Sequence, residues 1–223
     1  MTLLYRRAQE ALAHGFQLCV HAIGDRANRE VLNQFQKAFQ ENPRAAEDHR
    51  FRIEHAQHIS AADIPRFAAL GVIASMQTIH LSSDRPWAID RLGLARIEEG
   101  AYAWQKLLSS GATIANGTDA PVEPIDPIAA YYAAVTRKTR VGTPSGGYEP
   151  GQRMTRRQAL RAYTLDGAYA GFEEAVAGSI SVGKYADFTV FSDDLLSVPE
   201  DRLLDVNVVM TIMGGRIAFE RKM

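Results

Sequence analysis

Four short apolar runs, at residues 16–20, 51–53, 72–76 and 112–115, are separated by stretches with the periodicity of helices. This alternation constrains the fold more than any other feature. Two strands joined through a helix pair in parallel, because a tight turn closes only an antiparallel pair. Helices are expected at residues 3–14, ended by Gly15, and at 28–40, with Val31, Leu32, Phe35 and Phe39 on one face. Another opens at the capping-box pattern Ser60 to Asp63 and stops at Gly71. Further helices are expected at 101–109, closed by Gly111, at about 127–138, and at 155–170, opened by the capping-box pattern Thr155 to Gln158. Residues 80–100 read as a long mixed connection. The apolar runs hardly alternate, as expected of strands buried on both faces.

The chain beyond residue 176 changes character. Residues 178–191 and 206–219 read as short strands punctuated by Gly183 and Gly214-Gly215, a small β-rich segment. Residues 142–151, rich in Gly and Pro, read as an exposed loop that could lie over a site. In a (β/α) barrel, active sites form at the carboxyl ends of the strands, and His21, His55 and Asp119 stand just past three such ends. A complete barrel needs eight strand–helix units and about 250 residues, whereas four units precede residue 176. Half a barrel leaves edge strands unpaired and a core face uncovered. Such a chain is expected to form a homo-oligomer, to pair with a polypeptide carrying the missing N-terminal half, or to be a fragment.

Composition narrows the function classes. The net charge is -1, with both signs interspersed, so no basic field attracts nucleic acid or an anionic membrane surface. No apolar stretch approaches the roughly 20 residues of a membrane-spanning helix. The first fifteen residues read as a charged helix rather than a signal peptide, so a cytoplasmic protein is expected. The single cysteine, Cys19, excludes an internal disulfide, and its place in Leu18-Cys19-Val20 reads as a buried core thiol.

Each candidate site residue has two readings. His21 is either a hydrogen-bonded structural histidine or a metal ligand, and Asp25 either orients it or caps the next helix. Glu54, His55 and His58 lie close in sequence at one strand end. Such nitrogen and oxygen donors suit zinc, although His58 also fits an ordinary loop and Glu54 an ion pair with Arg52. Asp119, in a turn flanked by Gly117 and Pro121, fits a metal ligand and proton carrier, or an Asx-turn. Gln77, His80 and Asp84 follow the third run at the same rim. Trp87 and Trp104 read as packing residues, although Trp87 could also line a pocket. Arg137 reads as a surface salt bridge or a contact to an acidic substrate group. Ligands arriving from successive parallel strands converge on one rim, as a hydrolytic metal site requires.

The segments VHAIGDRAN, RIEHAQHI, SMQTIHLSSD, ANGTDAPVEPIDP, ALRAYTLDGAYA and GSISVGKYADFTVFSDD occur in order along nearly the whole chain. Together they resemble the amidohydrolase superfamily, in particular the amidohydrolase-3 branch that includes N-substituted formamide deformylases. The resemblance implies an α/β fold: residues 1–176 as the C-terminal half of a (β/α)8 TIM-type barrel, strands five to eight, and residues 177–223 as the C-terminal part of a small β-sandwich. It implies His21 and His55 as metal ligands after strands five and six. Asp119, after strand eight, would bind metal and act as general base and then acid. His80 and Gln77, at the same rim, would bind substrate. The branch's His-x-His pair, its bridging lysine or acidic residue, and the first sandwich strands have no counterpart here, and Thr78 stands where the branch usually has proline.

The implied function is a metal-dependent hydrolase that cleaves a carbon–nitrogen bond, of amide or formamide type, in a small-molecule substrate through metal-activated water. Zinc is the expected cofactor, as one or two ions. Ester or cyclic-amide hydrolysis is a different reaction open to the same superfamily. The alternative is a truncated, non-catalytic paralogue or fragment that acts only as an assembly or binding module.

Overall fold

The computed structural model describes residues 2–222, which divide into two units, residues 2–77 with 84–117, and residues 78–83 with 118–222. The first unit opens with α1 (Leu3–His14). The Thr2 hydroxyl accepts the Tyr5 N–H at 3.2 Å, and left-handed Gly15 (φ 69°) ends the helix. The apolar runs become β1 (Cys19–Ala22), with α2 (Asp25–Glu41) following, then β2 (Arg52–His55), α3 (Ile64–Leu70), β3 (Ile73–Met76) and, after a helical stretch, β4 (Ile114–Asn116). The four strands form one parallel sheet in the order β1-β2-β3-β4.

The chain departs from expectation at several places. The first strand starts late, leaving Phe16 exposed and putting His21 inside β1 rather than beyond it. The stretch 80–100 is helical: α4 (His80–Leu92) and α5 (Leu94–Gly100) flank left-handed Gly93 (φ 74°), with α6 (Trp104–Ser109) following. Pro86, inside α4, and Gly93 are the residues that give this stretch its look of a loop. The Ser60–Asp63 pattern forms no side-chain cap. Asp63 already has helical backbone angles, and its carboxylate accepts from Arg29, Arg66 and Ser60 instead. Trp104 is fully buried, but Trp87 is half exposed and so is not a packing residue.

The largest difference concerns the sheet faces. In-register residues of a parallel sheet share a face. One row runs Val20, Ile53, Ala74, Ile114, the last three fully or almost fully buried. On the opposite face Cys19 aligns with Arg52, and His21 with Glu54 and Ser75. Cys19 and His21 are exposed there, and Arg52 and Glu54 pair at 2.9 Å along the surface. Ile73 and Ala115 lie on this same face and are buried, so β3 and β4 are covered on both faces as expected, and the second face is polar and open only along β1 and β2. Cys19 is an exposed thiol rather than a core one.

The second unit contains α7 (Pro127–Thr136), opened by Asp126, whose carboxylate accepts the Ile128 N–H at 2.9 Å. The Thr155–Gln158 capping box forms as expected and starts α8 (Arg156–Tyr163). Backbone angles at Thr164 then separate it from α9 (Leu165–Ala170). The tail folds as β5 (Phe188–Phe191), β6 (Val208–Met213) and β7 (Arg216–Glu220), an antiparallel sheet in that order. Gly214 and Gly215, with φ 56° and 77°, make the two-residue turn between β6 and β7, where both positions need left-handed backbone. Arg137 is fully buried. Its guanidinium donates to the Tyr148 carbonyl at 2.7 Å and pairs with Glu149 at 3.0 Å. It ties down the loop 142–151 from inside, and is neither a surface pair nor an exposed substrate contact.

His49 illustrates how the first unit fixes a ring. It stacks on Phe39 at 3.9 Å, its Nδ1 accepts the Phe51 N–H at 2.7 Å, and its Nε2 lies 2.9 Å from the Leu70 carbonyl. The Phe51 donor requires a bare Nδ1, so the ring is neutral with its proton on Nε2. Burial, the main cause, holds its pKa below the ordinary 6.5, while the Leu70 carbonyl and Asp48 oppose that shift. The unfolded chain therefore binds the proton first as pH falls. His49's contribution to stability is complete above about pH 6.5 and is lost as pH drops through the lower folded value. Urea unfolding between pH 7.5 and 5 is expected to show decreasing stability, with a shallower decrease in His49→Gln. An equal slope in both proteins would contradict the neutral, locked ring.

Candidate metal centre

His21 reaches the open sheet face by ordinary alternation, but His55 does not. His55 aligns with Ala22, which is fully buried on the opposite side. Regular strand geometry would send its side chain to that side too. Instead His55 has φ 75° and Ala56 φ 44°, both left-handed. This rotates the Cα–Cβ bond out of the pleat, and the His55 ring meets that of His21 edge-on, with centroids 4.6 Å apart. Such angles cost on the order of 1–3 kcal/mol per residue and persist where the surroundings over-determine them. Here the chain beyond His55 stays bonded to the continuation of β1: Ala56 N–H donates to Ala22 O at 3.1 Å and His58 N–H to Ile23 O at 2.9 Å. Fully buried Asn28 adds a third tie, its amide nitrogen lying 3.1 Å from Ala22 O, 2.9 Å from Gly24 O and 3.3 Å from His58 O.

The other candidates are distributed as follows. Gln77, one residue beyond β3, places its amide oxygen 2.7 Å from His55 Nδ1. Glu54 pairs with Arg52. His58 packs edge-on against Tyr102 at 5.3 Å, and burial lowers its pKa. Asp84 accepts from Gln57 at 3.0 Å. Asp25 neither orients His21 nor caps α2 with its side chain; it begins α2 and pairs with Arg96 at 2.6 Å. Within the second unit, His80 begins α4 and is buried, with Nε2 4.0 Å from Asp119 Oδ2. That is an ion-pair separation rather than a hydrogen bond. Asp119 is left-handed (φ 58°), with 38% of its side chain exposed and its carbonyl accepting the Val122 N–H at 2.8 Å. The first unit thus brings together His21, His55 and Gln77, and the second His80 and Asp119. Among the described residues, no group of three or more His, Cys, Asp or Glu side chains is gathered closely enough to hold a metal ion.

One supporting residue and one supporting contact escaped the sequence reading. Asn28 carried one signal, a polar amide at the start of a helix that buries the rest of that face. The link between Gln77 and His55 joins residues 22 apart and carried none.

The sequence profile of the amidohydrolase family matches residues 2–219. The chain belongs to that family, in its amidohydrolase-3 branch. It is 35% identical to YtcJ of Bacillus subtilis, which bears the name of an amidohydrolase, over 98% of this chain and 40% of that protein. It is 26% identical to the N-substituted formamide deformylase of Arthrobacter pascens, over 93% of this chain and 37% of the enzyme. Among solved structures, an uncharacterized metal-dependent hydrolase from Pyrococcus furiosus superposes with a TM-score of 0.72 at 30% identity, covering 87% of this chain and 37% of that one. The chain therefore spans about two-fifths of the length of these relatives.

The backbone at residue 55 is open to direct test. Only glycine adopts a left-handed conformation without a Cβ penalty of roughly 1–2 kcal/mol. His55→Gly is therefore expected to be more stable than His55→Ala by about that amount, although glycine normally destabilises a strand. Equal or reversed stabilities in urea titrations would rule out the left-handed conformation.

Proposed function

We propose that this chain is the C-terminal part of a metal-dependent hydrolase that cleaves a carbon–nitrogen bond, of amide or formamide type, in a small molecule. Residues 1–176 supply half of a (β/α)8 TIM-type barrel and residues 177–223 part of a β-sandwich. Family membership, sequential parallel strands with one buried face, and a separate antiparallel sheet favour this reading. So do the names of the deformylase and of the metal-dependent hydrolase among its relatives.

The observation that carries the proposal is the pair of imidazoles, 4.6 Å apart, on the polar face of a parallel sheet. Two nitrogen donors suit zinc, and one of them is held there at the expense of regular strand geometry. His21 and His55 are the proposed nitrogen ligands and Asp119 the proposed oxygen ligand, for one or two ions. The ion, when bound, supplies the Lewis acidity that makes water nucleophilic near neutral pH and polarises a carbonyl. Asp119 takes a proton from water and returns it to the leaving nitrogen. Its partial exposure leaves the carboxylate accessible to both, and its turn limits its swing. His80, beside Asp119, contacts the substrate.

Zinc content and zinc affinity of the chain test the proposal, followed by turnover of formamides and simple amides. Stoichiometric zinc that is lost in His55→Ala is expected. In a turnover assay, Asp119→Asn should lower kcat by about 10²–10⁴-fold while its circular dichroism stays unchanged. Failure to take up zinc would favour the assembly-module alternative for this chain, and full activity in Asp119→Asn would remove Asp119 from the mechanism.

A further inference from the structure

We propose that Gln77 is a positioning residue: its side-chain amide sets the tautomer and orientation of His55, so that the ring presents the Nε2 lone pair. The inference rests on the reading of His55 as a ligand. Ser75 precedes Gln77 by two residues, on β3. Its backbone carbonyl lies 3.4 Å from Gln77 Nε2. With the amide reversed, an oxygen would face that carbonyl oxygen, so the nitrogen must point to Ser75 and the oxygen to His55. An amide oxygen only accepts. At 2.7 Å, His55 Nδ1 must therefore be the donor and carry the proton. In the neutral ring the lone pair then belongs to Nε2.

The two halves of the amide are thus engaged within one sheet, one with its own strand and one with the end of the neighbouring strand β2. This distinguishes Gln77 from a substrate contact, the role expected of it at the rim. The arrangement also supplements the backbone. Left-handed φ at His55 selects the face, but leaves the ring to rotate about its side-chain bonds. The hydrogen bond to Gln77 removes that freedom and selects one of two tautomers. Ligating histidines commonly donate their second ring N–H to such a partner, and loss of the partner typically costs 10–100-fold in metal affinity.

Long-range ¹H–¹⁵N spectra of the metal-free chain near pH 8 report the tautomer of His55, and calorimetric titration with zinc chloride reports affinity. In the wild type, an Nδ1–H ring at His55 is expected; an Nε2–H ring would overturn the proposal without any variant. Gln77→Leu, close in size but without hydrogen bonds, should shift His55 towards Nε2–H and weaken zinc binding by about 10–100-fold. Gln77→Glu keeps an acceptor towards His55 but loses the donor towards Ser75, and should restore the Nδ1–H signature with only part of the affinity. An unchanged tautomer in Gln77→Leu, or no recovery in Gln77→Glu, would refute the assignment. If the tautomer follows the variants while zinc affinity is the same in wild type and His55→Ala, the Gln77–His55 coupling stands, and it is the reading of His55 as a ligand that fails.

Discussion

The left-handed backbone at His55 is the constraint on which the candidate centre depends. A strand distributes successive side chains to opposite faces, so a neighbouring pair of strands cannot bring residues of opposite parity together without a break. His21 and His55 have opposite parity in the β1–β2 register. The break occurs at the last residue of β2, where the ladder is ending and the chain has freedom to turn. The cost of the turn is offset by what surrounds it: the backbone bonds from Ala56 and His58 to the extension of β1, and the buried Asn28 amide among the carbonyls of both strand ends. Helix α2 thereby does more than cover the sheet. Its first turn carries the residue that holds the two strand ends together.

The two sheet faces divide stability from chemistry. Ile53, Ala74 and Ile114, with Ala22, form the buried row and carry the hydrophobic stabilisation. The opposite face is polar along β1 and β2, where Cys19, His21, Arg52 and Glu54 stand, while Ile73 and Ala115 keep it apolar and buried towards β3 and β4. An ionic pair such as Arg52–Glu54, about a quarter exposed at each end, contributes little to stability. Its place on this face is better understood as a way to keep charged side chains in a defined arrangement beside the histidines. The second unit repeats the use of buried polar ties at another scale. Fully buried Arg137 fixes a loop of glycines and prolines that has little apolar side chain to hold it.

The order and type of most elements were legible because they depend on local pattern. The helix over residues 3–14, the Thr155–Gln158 capping box and the stops at Gly15 and Gly71 follow from neighbours within four or five positions. The Ser60–Asp63 pattern has the same local form and fails, because Asp63 is claimed by Arg29, a residue 34 positions away. Cys19 was misplaced for a related reason. Its apolar neighbours mark a strand correctly, but which face is covered depends on what packs there, and three or four residues are too few to show alternation. Residues 80–100 were obscured by Pro86 and Gly93, whose local preference is outweighed by the helix around them.

The candidate site shows the same limit more sharply. Motifs pointed to His21, His55 and Asp119 one at a time, since each is a polar residue beside an apolar run. Nothing in a strand pattern marks a positive φ at a histidine, because that angle is disfavoured by the residue itself and imposed by the fold. Nor does the spacing between Ser75, Gln77 and His55 suggest a relay. It arises because β2 and β3 are adjacent and parallel, so that a side chain just past one carboxyl end reaches the last residue of the other. Parallel pairing therefore provides more than a scaffold for ligands. By aligning strand ends, it lets one strand's backbone dictate, through a single amide, which nitrogen the histidine of the next strand can offer.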